Sequence, residues 1–549
     1  MKLVLPMAFV LSIALSSAAF AQAPSILQAF RGGGTDISYS LAWNGVDGFF
    51  FAGSFEDNIG FFPDMISAGN DDIFVGLMGT GGNIVWNRRD GAASTDIATG
   101  VAVDGAGNCY VTGSFADSTN FDGTTYLGAG GLDVFIAKYN PAGALIWIKD
   151  FGGPSLDFSD AIAVDGNNDV YITGEFEDSM HVDAITINSA GGADMFLIKC
   201  DSSGTVIWAK SGGSTTNDQG RGVAADASGN VVVVGMYTNT ASFDGTPLVS
   251  AGSGDAFAVR YDSGGVLQWA RTAGGTEFDR ANDVTLVGGT AYIVGEFRGG
   301  AFFMPAPRSS NGGSDFFLWQ VISTGMYIGV TTGGGIQDDA ARSVTITGTD
   351  IAFTGEFRAS MTLGNTTLAS RGDTDVFVAK IGTALNYLWA VEGGGTSLDS
   401  GEGIAISSGG DVYVTGSYSN TVRFAGLQAP SLGGKDAFIV KFNGDLAVSA
   451  ESTPALSEAI LGRATPNPFG VATTLTYDVP VRTRVRIDIY DVAGRRVRTL
   501  VDAVVGPAPG QSVTWDGRTD NGTFAPSGVY MCRMSTRTNV EMQKLVLLQ

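Results

Sequence analysis

One motif, most plainly DGAGNCYVTGSFADSTNFDGTTYLGAGGLDVFIAK from Asp104 to Lys138, is written seven times along the chain. Its core glycine falls at Gly53, Gly113, Gly174, Gly235, Gly295, Gly355 and Gly416, in steps of 60, 61, 61, 60, 60 and 61 residues. So even a period marks a repeat architecture, in which each unit buries its apolar face only against its neighbours. Seven such units absorb roughly 420 residues, which leaves the two ends of the 549-residue chain for other purposes.

Within a repeat, turn residues mark off four β-like runs. In the second repeat these are Thr99 to Val103, Cys109 to Phe115, Asp133 to Tyr139 and Leu145 to Lys149, with a longer connection between the second and third. Small residues in the first run and a large aromatic in the last describe a propeller blade whose inner strand fits a crowded axis. The outer run carries Trp86, Trp147, Trp208, Trp269 and Trp389 at one shared position, and repeat five breaks the pattern with Tyr327, Ile328 and Gly329. The predicted fold is all-β: a seven-bladed β-propeller over 24–450, followed by a small Ig-like β-sandwich.

A ring needs a latch, because an open one leaves two unpaired strand edges. Ile26 to Phe30, followed by three glycines, sits in the frame of an outer strand and is expected to complete the last blade beside Val440. Leu446 to Ser449 competes for the same place. The repeated words AVDGAGNCYVTGSF and AVDGNNDVYITGEF resemble the bacterial β-propeller repeat abbreviated SBBP, found in exported proteins, over roughly Asp36 to Lys441. That resemblance implies a fold and says little of activity, since propellers host many functions.

The formal charge of −23 makes a nucleic-acid backbone an unsuitable partner and leaves cations, basic proteins and neutral glycans open. Lys2, the apolar run Leu3 to Leu15 and a small-residue cleavage site near Ala21 or Ala23 read as a signal peptide over 1–23. No later stretch approaches the ~20 apolar residues of a membrane-spanning helix. Cys109, Cys200 and Cys532 lie in unrelated frames and read as buried small hydrophobes rather than a disulfide framework.

Two aspartates recur in every repeat. Asp36, Asp96, Asp157, Asp218, Asp279, Asp339 and Asp399 precede the first strand after a Gly-Gly turn. Asp72, Asp133, Asp194, Asp255, Asp315, Asp375 and Asp436 open the third. Strand direction puts both sets on one face, together with Glu175, Glu296 and Glu356. A carboxylate accepting backbone N–H groups accounts for such regularity; the first set is also the candidate for Ca2+, the one cofactor considered.

A single histidine, His181, excludes His-based triads and multi-histidine metal sites and reads as a surface loop residue. Arg371-Gly372-Asp373 sits in an ordinary loop frame. Phe302 is an aromatic that sister loops lack and is a candidate for glycan stacking. A binder keeps its side chains seven-fold similar, whereas a catalytic centre breaks the symmetry near the mouth. Blade five carries the clearest breaks.

The period stops after Lys441, and 451–464 reads as a linker. Six or seven short strands follow in 465–549. PNPF at 466–469, IYDVAGRRVRTL at 489–500, WDGRTDNG at 515–522, PSGVY at 526–530 and KLVLL at 544–548 resemble the C-terminal sorting domain of the type IX secretion system and the Ig-like module of the flagellar hook-cap protein FlgD. The resemblance implies a tail read by the secretion machinery and delivery to the cell surface or beyond. The expected protein is a secreted, non-enzymatic binding or adhesion scaffold with a glycan or protein ligand. The alternative is a secreted glycosidase or lyase that uses carboxylates on the loop face.

Overall fold

A computed structural model describes residues 25–61, 64–424, 427–443, 460–479, 483–505, 508–536 and 540–548. The signal-peptide stretch and Leu446 to Ser449 lie outside the described residues.

Seven four-stranded antiparallel blades follow one another. Blade one consists of Asp36–Trp43, Gly48–Phe55, Asp72–Gly79 and Ile84–Asp90, from the inside outward. The remaining inner strands are Asp96–Val103, Asp157–Val164, Gln219–Ala225, Arg280–Val287, Ala340–Thr347 and Asp399–Ile406. Each inner strand touches the next, and the seventh touches the first, so the ring closes. The latch is Ser25–Phe30, which pairs antiparallel with Asp436–Phe442 and sets Ile26 opposite Val440.

The apolar core lies between blades. Seven buried clusters each draw on two adjacent blades, and an eighth fills the sandwich. Each fully buried Phe, Val or Ile in them stabilises by about 1.5–3 kcal/mol, so neighbouring blades hold one another in place. Trp86, Trp147, Trp208 and Trp269 add a rivet: each indole N–H donates to a backbone carbonyl in the next blade's outer turn, at 3.0, 3.2, 3.3 and 3.0 Å.

The longer connection in each repeat, read as a loop, is an extra β-hairpin in the structure. In blade two it simply prolongs the second and third strands, to Cys109–Phe121 and Thr124–Tyr139. Its physical role is a clasp: in blades four, five and seven, hairpin residues Phe243, Phe302 and Phe424 pair with Gly212, Gly274 and Gly393 of the preceding blade's outer strand.

The C-terminal unit packs a three-stranded sheet on a four-stranded one around Trp515 and Tyr530, whose rings lie 5.0 Å apart. Its first strand, Ile460–Thr465, begins inside the stretch read as linker. Asn467 of the PNPF motif accepts from Val546 N and donates to Lys544 O, both at 2.8 Å, so the first and last motifs of the tail clasp each other.

Candidate functional site in the propeller channel

The repeat glycine positions the site. A Cβ on Gly53, Gly113, Gly174, Gly235, Gly295, Gly355 or Gly416 would stand 1.8–2.0 Å from a carbonyl oxygen of its own inner strand. Without that side chain the inner strand presses in, and opposite the glycine it takes one extra residue. A β-bulge results in every blade, skipping Tyr39, Thr99, Asp160, Arg221, Asn282, Arg342 and Glu402 in turn. Bulges re-aim side chains. All seven skipped residues line the central channel, three positions beyond the first aspartate of each repeat.

These seven side chains line two adjoining cavities. On the loop side is a space of about 270 Å³, walled additionally by Ile97 and Phe158. On the side of the tight turns is one of about 380 Å³, ringed by aliphatic residues two positions further along, such as Leu41, Val101, Ile162 and Val223. A polar ring thus sits on an apolar collar.

The scaffold is seven-fold repetitive, yet this ring holds seven side chains of six kinds. Asp160 Oδ1 meets Arg221 Nη1 at 3.1 Å. Thr99 Oγ1 donates to Ser159 O at 2.7 Å, and Asn282 Nδ2 donates to Ala341 O at 2.9 Å. Burial pushes the Asp160 carboxyl up to about 7, with Arg221 opposing and Glu175 adding to the shift. Burial and the nearby Glu402 raise the Tyr39 phenol to about 12. Burial works against the charge of Arg342, but Glu356 and Glu402 hold its guanidinium above the usual range.

Glu175, Glu296 and Glu356 are brought to this mouth, each beside an inner strand. Glu296 pairs with Arg280 at 2.6 Å, Glu356 with Arg342 at 2.5 Å, and Glu175 accepts from Gln219 Nε2 at 2.7 Å. Phe302 goes elsewhere: it is about half exposed on the blade-five hairpin, paired with Gly274 of an outer strand. It belongs to the periphery, not to the channel.

Both aspartate sets are buried at the junctions between blades, so they do not form an exposed acidic surface. Asp96, Asp157, Asp218, Asp279, Asp339 and Asp399 each accept a backbone N–H from four residues earlier at 2.5–2.8 Å. Asp36 departs from this, its carboxylate having no such donor. Asp72, Asp133, Asp255, Asp315, Asp375 and Asp436 make the same contact at 2.6–3.1 Å, and Asp194 makes it with Ala190 N.

The Gly-Gly turn is explained by these carboxylates. A Cβ on Gly152 or Gly213 would lie 1.7 or 2.0 Å from the Oδ1 of Asp133 or Asp194. One carboxylate oxygen of this second set therefore packs on a glycine. No group of three His, Cys, Asp or Glu that could hold a metal occurs among the described residues.

His181 is exposed on a hairpin, with Nδ1 3.1 Å from Thr186 Oγ1. Arg371 and Asp373 of the tripeptide are tied to Glu392 at 3.0 Å and Arg358 at 2.7 Å. The three cysteines are buried and free.

Comparison with known proteins separates the two parts of the chain. Two curated relatives match the repeats. An uncharacterized WD repeat-containing protein of Acanthamoeba polyphaga mimivirus is 25% identical over 391 residues, covering 65% of this chain and 27% of the relative. The regulatory protein FlaEY of Caulobacter vibrioides is 27% identical over 295 residues, covering 48% and 30%. The chain thus spans under a third of the length of either relative.

Among solved structures, PorZ, titled an essential surface component of the type-IX secretion system of Porphyromonas gingivalis, is 12% identical, with 95% of this chain and 75% of that one covered at a TM-score of 0.26. The GH43 protein BlXynB of Bacillus licheniformis is 10% identical, with 96% and 100% covered at 0.23. At these TM-scores the likeness bears on neither fold detail nor function. The FlgD Ig-like domain family matches residues 464–539, and the C-terminal unit is similar to that domain.

Proposed function

We propose that this chain is a secreted or cell-surface binding scaffold without catalytic activity, delivered by the type IX route through its C-terminal domain, with its ligand held at the loop-side mouth of the propeller channel. One observation carries the reading. Where seven blades repeat core, turns and junctions, the side chains that differ from blade to blade converge on the bulge ring. The ring breaks the seven-fold symmetry expected of a repetitive binder, and unlike side chains converging on one cavity are what a single asymmetric ligand requires, whether it is held or turned over. The N-terminal stretch read from its sequence as a signal peptide and the FlgD Ig-like match at the C-terminus support the surface address.

A second reading rests on Asp160. A carboxyl raised to about 7 by burial suits a general acid, and Glu402 supplies a second carboxylate in the same ring. The experiment that separates the two is a glycan array followed by a search for released reducing ends. Retention without product supports the scaffold. Product release that Asp160→Asn abolishes installs the enzyme instead.

A further inference from the structure

The ring's own chemistry narrows what it can hold. Its four charged members are two carboxylates, Asp160 and Glu402, and two guanidiniums, Arg221 and Arg342. An ionic ligand gains from one sign and loses to the other, and it also gives up hydration on entering. A neutral ligand is therefore favoured.

Several buried polar atoms here lack a partner. Asp160 Oδ2 and Asn282 Oδ1 are acceptors without donors, whereas Arg342 Nε is a donor without an acceptor. Asn282 is only 7% exposed, so its carbonyl oxygen is unpaired deep in the wall. Leaving such atoms unpaired costs stability. These atoms are closed off from the cavity, but a hydroxyl both donates and accepts, which suits the mixture of guanidiniums and carboxylates, Arg221, Arg342, Asp160 and Glu402, that lines it.

The loop-side cavity combines this polar floor with the apolar walls of Ile97 and Phe158, beside the ring of Tyr39. Its volume of about 270 Å³ lies just below the ordinary range for small-molecule pockets, which suits one ring-sized group.

Building on the binding reading above, we propose that the channel mouth is a subsite for a single uncharged sugar residue at the end of a glycan chain. Its hydroxyls meet Asp160, Glu402 and Arg342, and an apolar face of the sugar packs on Phe158 or Tyr39.

The test is titration calorimetry of the full mature chain with methyl glycosides of neutral hexoses, against methyl glucuronoside and methyl glucosaminide, and with the Asp160→Asn, Glu402→Gln and Phe158→Ala variants. The two isosteric variants preserve the ring's shape, so the test does not depend on Phe158→Ala folding. The subsite predicts one neutral glycoside per chain, bound at least about tenfold more weakly once Asp160 is replaced, since a hydrogen bond to a charged group is worth about that factor, and more weakly also with Phe158→Ala. It predicts equal or greater weakening for the charged sugars. Charged sugars binding as well as neutral ones would overturn it, and so would glycoside binding indifferent to all three variants. A protein partner captured at the loop face with no sugar binding would also overturn the subsite, while leaving the scaffold reading intact.

Discussion

Gly329 and Leu385 exchange the roles that their neighbours hold as tryptophan and glycine. In blades one to four, the outer-strand indole covers a left-handed glycine in the next blade's turn, as Trp147 covers Gly204 and Trp208 covers Gly265. In blade five the indole position is Gly329, and the facing turn residue is Leu385 at φ 62. A Cβ on Gly329 would stand 3.1 Å from Leu385 Cδ1. Gln320 donates to Thr383 O at 2.9 Å, a polar link across the same junction. The missing tryptophan therefore leaves a repacked junction rather than a weak one. Gly329→Trp alone should cost about 1–3 kcal/mol by overpacking, and adding Leu385→Gly should recover most of it. A chemical-denaturation cycle measures the coupling.

The junction aspartates set a pH dependence. Burial raises Asp96, Asp157, Asp279, Asp315 and Asp399 to about 7 and Asp36 and Asp375 to about 8. A carboxyl raised on folding contributes stability that is full below its unfolded value near 3.8 and is lost as pH rises through the folded value. Melting temperature should accordingly fall progressively between about pH 4 and pH 8 and level off above it. A Tm that climbs over that window contradicts the assignment.

The glycine that makes the bulge should be indispensable to the site. A Cβ on Gly174 would meet Phe158 O at 1.9 Å, so Gly174→Ala must push the inner strand away and move Asp160 with it. Destabilisation of about 1–3 kcal/mol is expected, with loss of whatever ligand the array reveals. Far-UV and near-UV circular dichroism distinguish a shifted strand from an unfolded chain.

Removing 465–549 should strand the protein in the periplasm, because the tail is the proposed address. Cell fractionation reads the outcome directly. A truncated chain that still reaches the surface sinks the delivery reading and leaves the propeller's chemistry untouched.

The blade count and the shared tryptophan position were legible because each depends on spacing alone, whereas spacing left two candidates for the closing strand, Ile26 to Phe30 and Leu446 to Ser449. The aspartates' structural role was legible too, since burial of a carboxylate demands backbone donors and donors demand a fixed turn. The bulge was not. It adds one residue to one strand without disturbing the 60-residue period, and so Tyr39, Thr99, Asp160, Arg221, Asn282, Arg342 and Glu402 looked like ordinary scatter on an inner strand. A signal existed: lining up the seven repeats on their first aspartate shows, three residues on, a position occupied by residues of both charges and by neutral ones. That Phe302 sits on an outer hairpin, away from the channel, was not legible because aromaticity does not reveal which strand a hairpin clasps.

Recognition at the axis rather than the periphery is tested most directly by comparing two variants on one glycan array. One replaces the ring charges together, Asp160→Asn, Arg221→Gln and Glu402→Gln; the other is Phe302→Ala on the outer hairpin. The ring variant should fold and lose the signal, while Phe302→Ala keeps it. A silent Phe302→Ala array beside an unchanged ring variant would place the site on the rim and contradict the account.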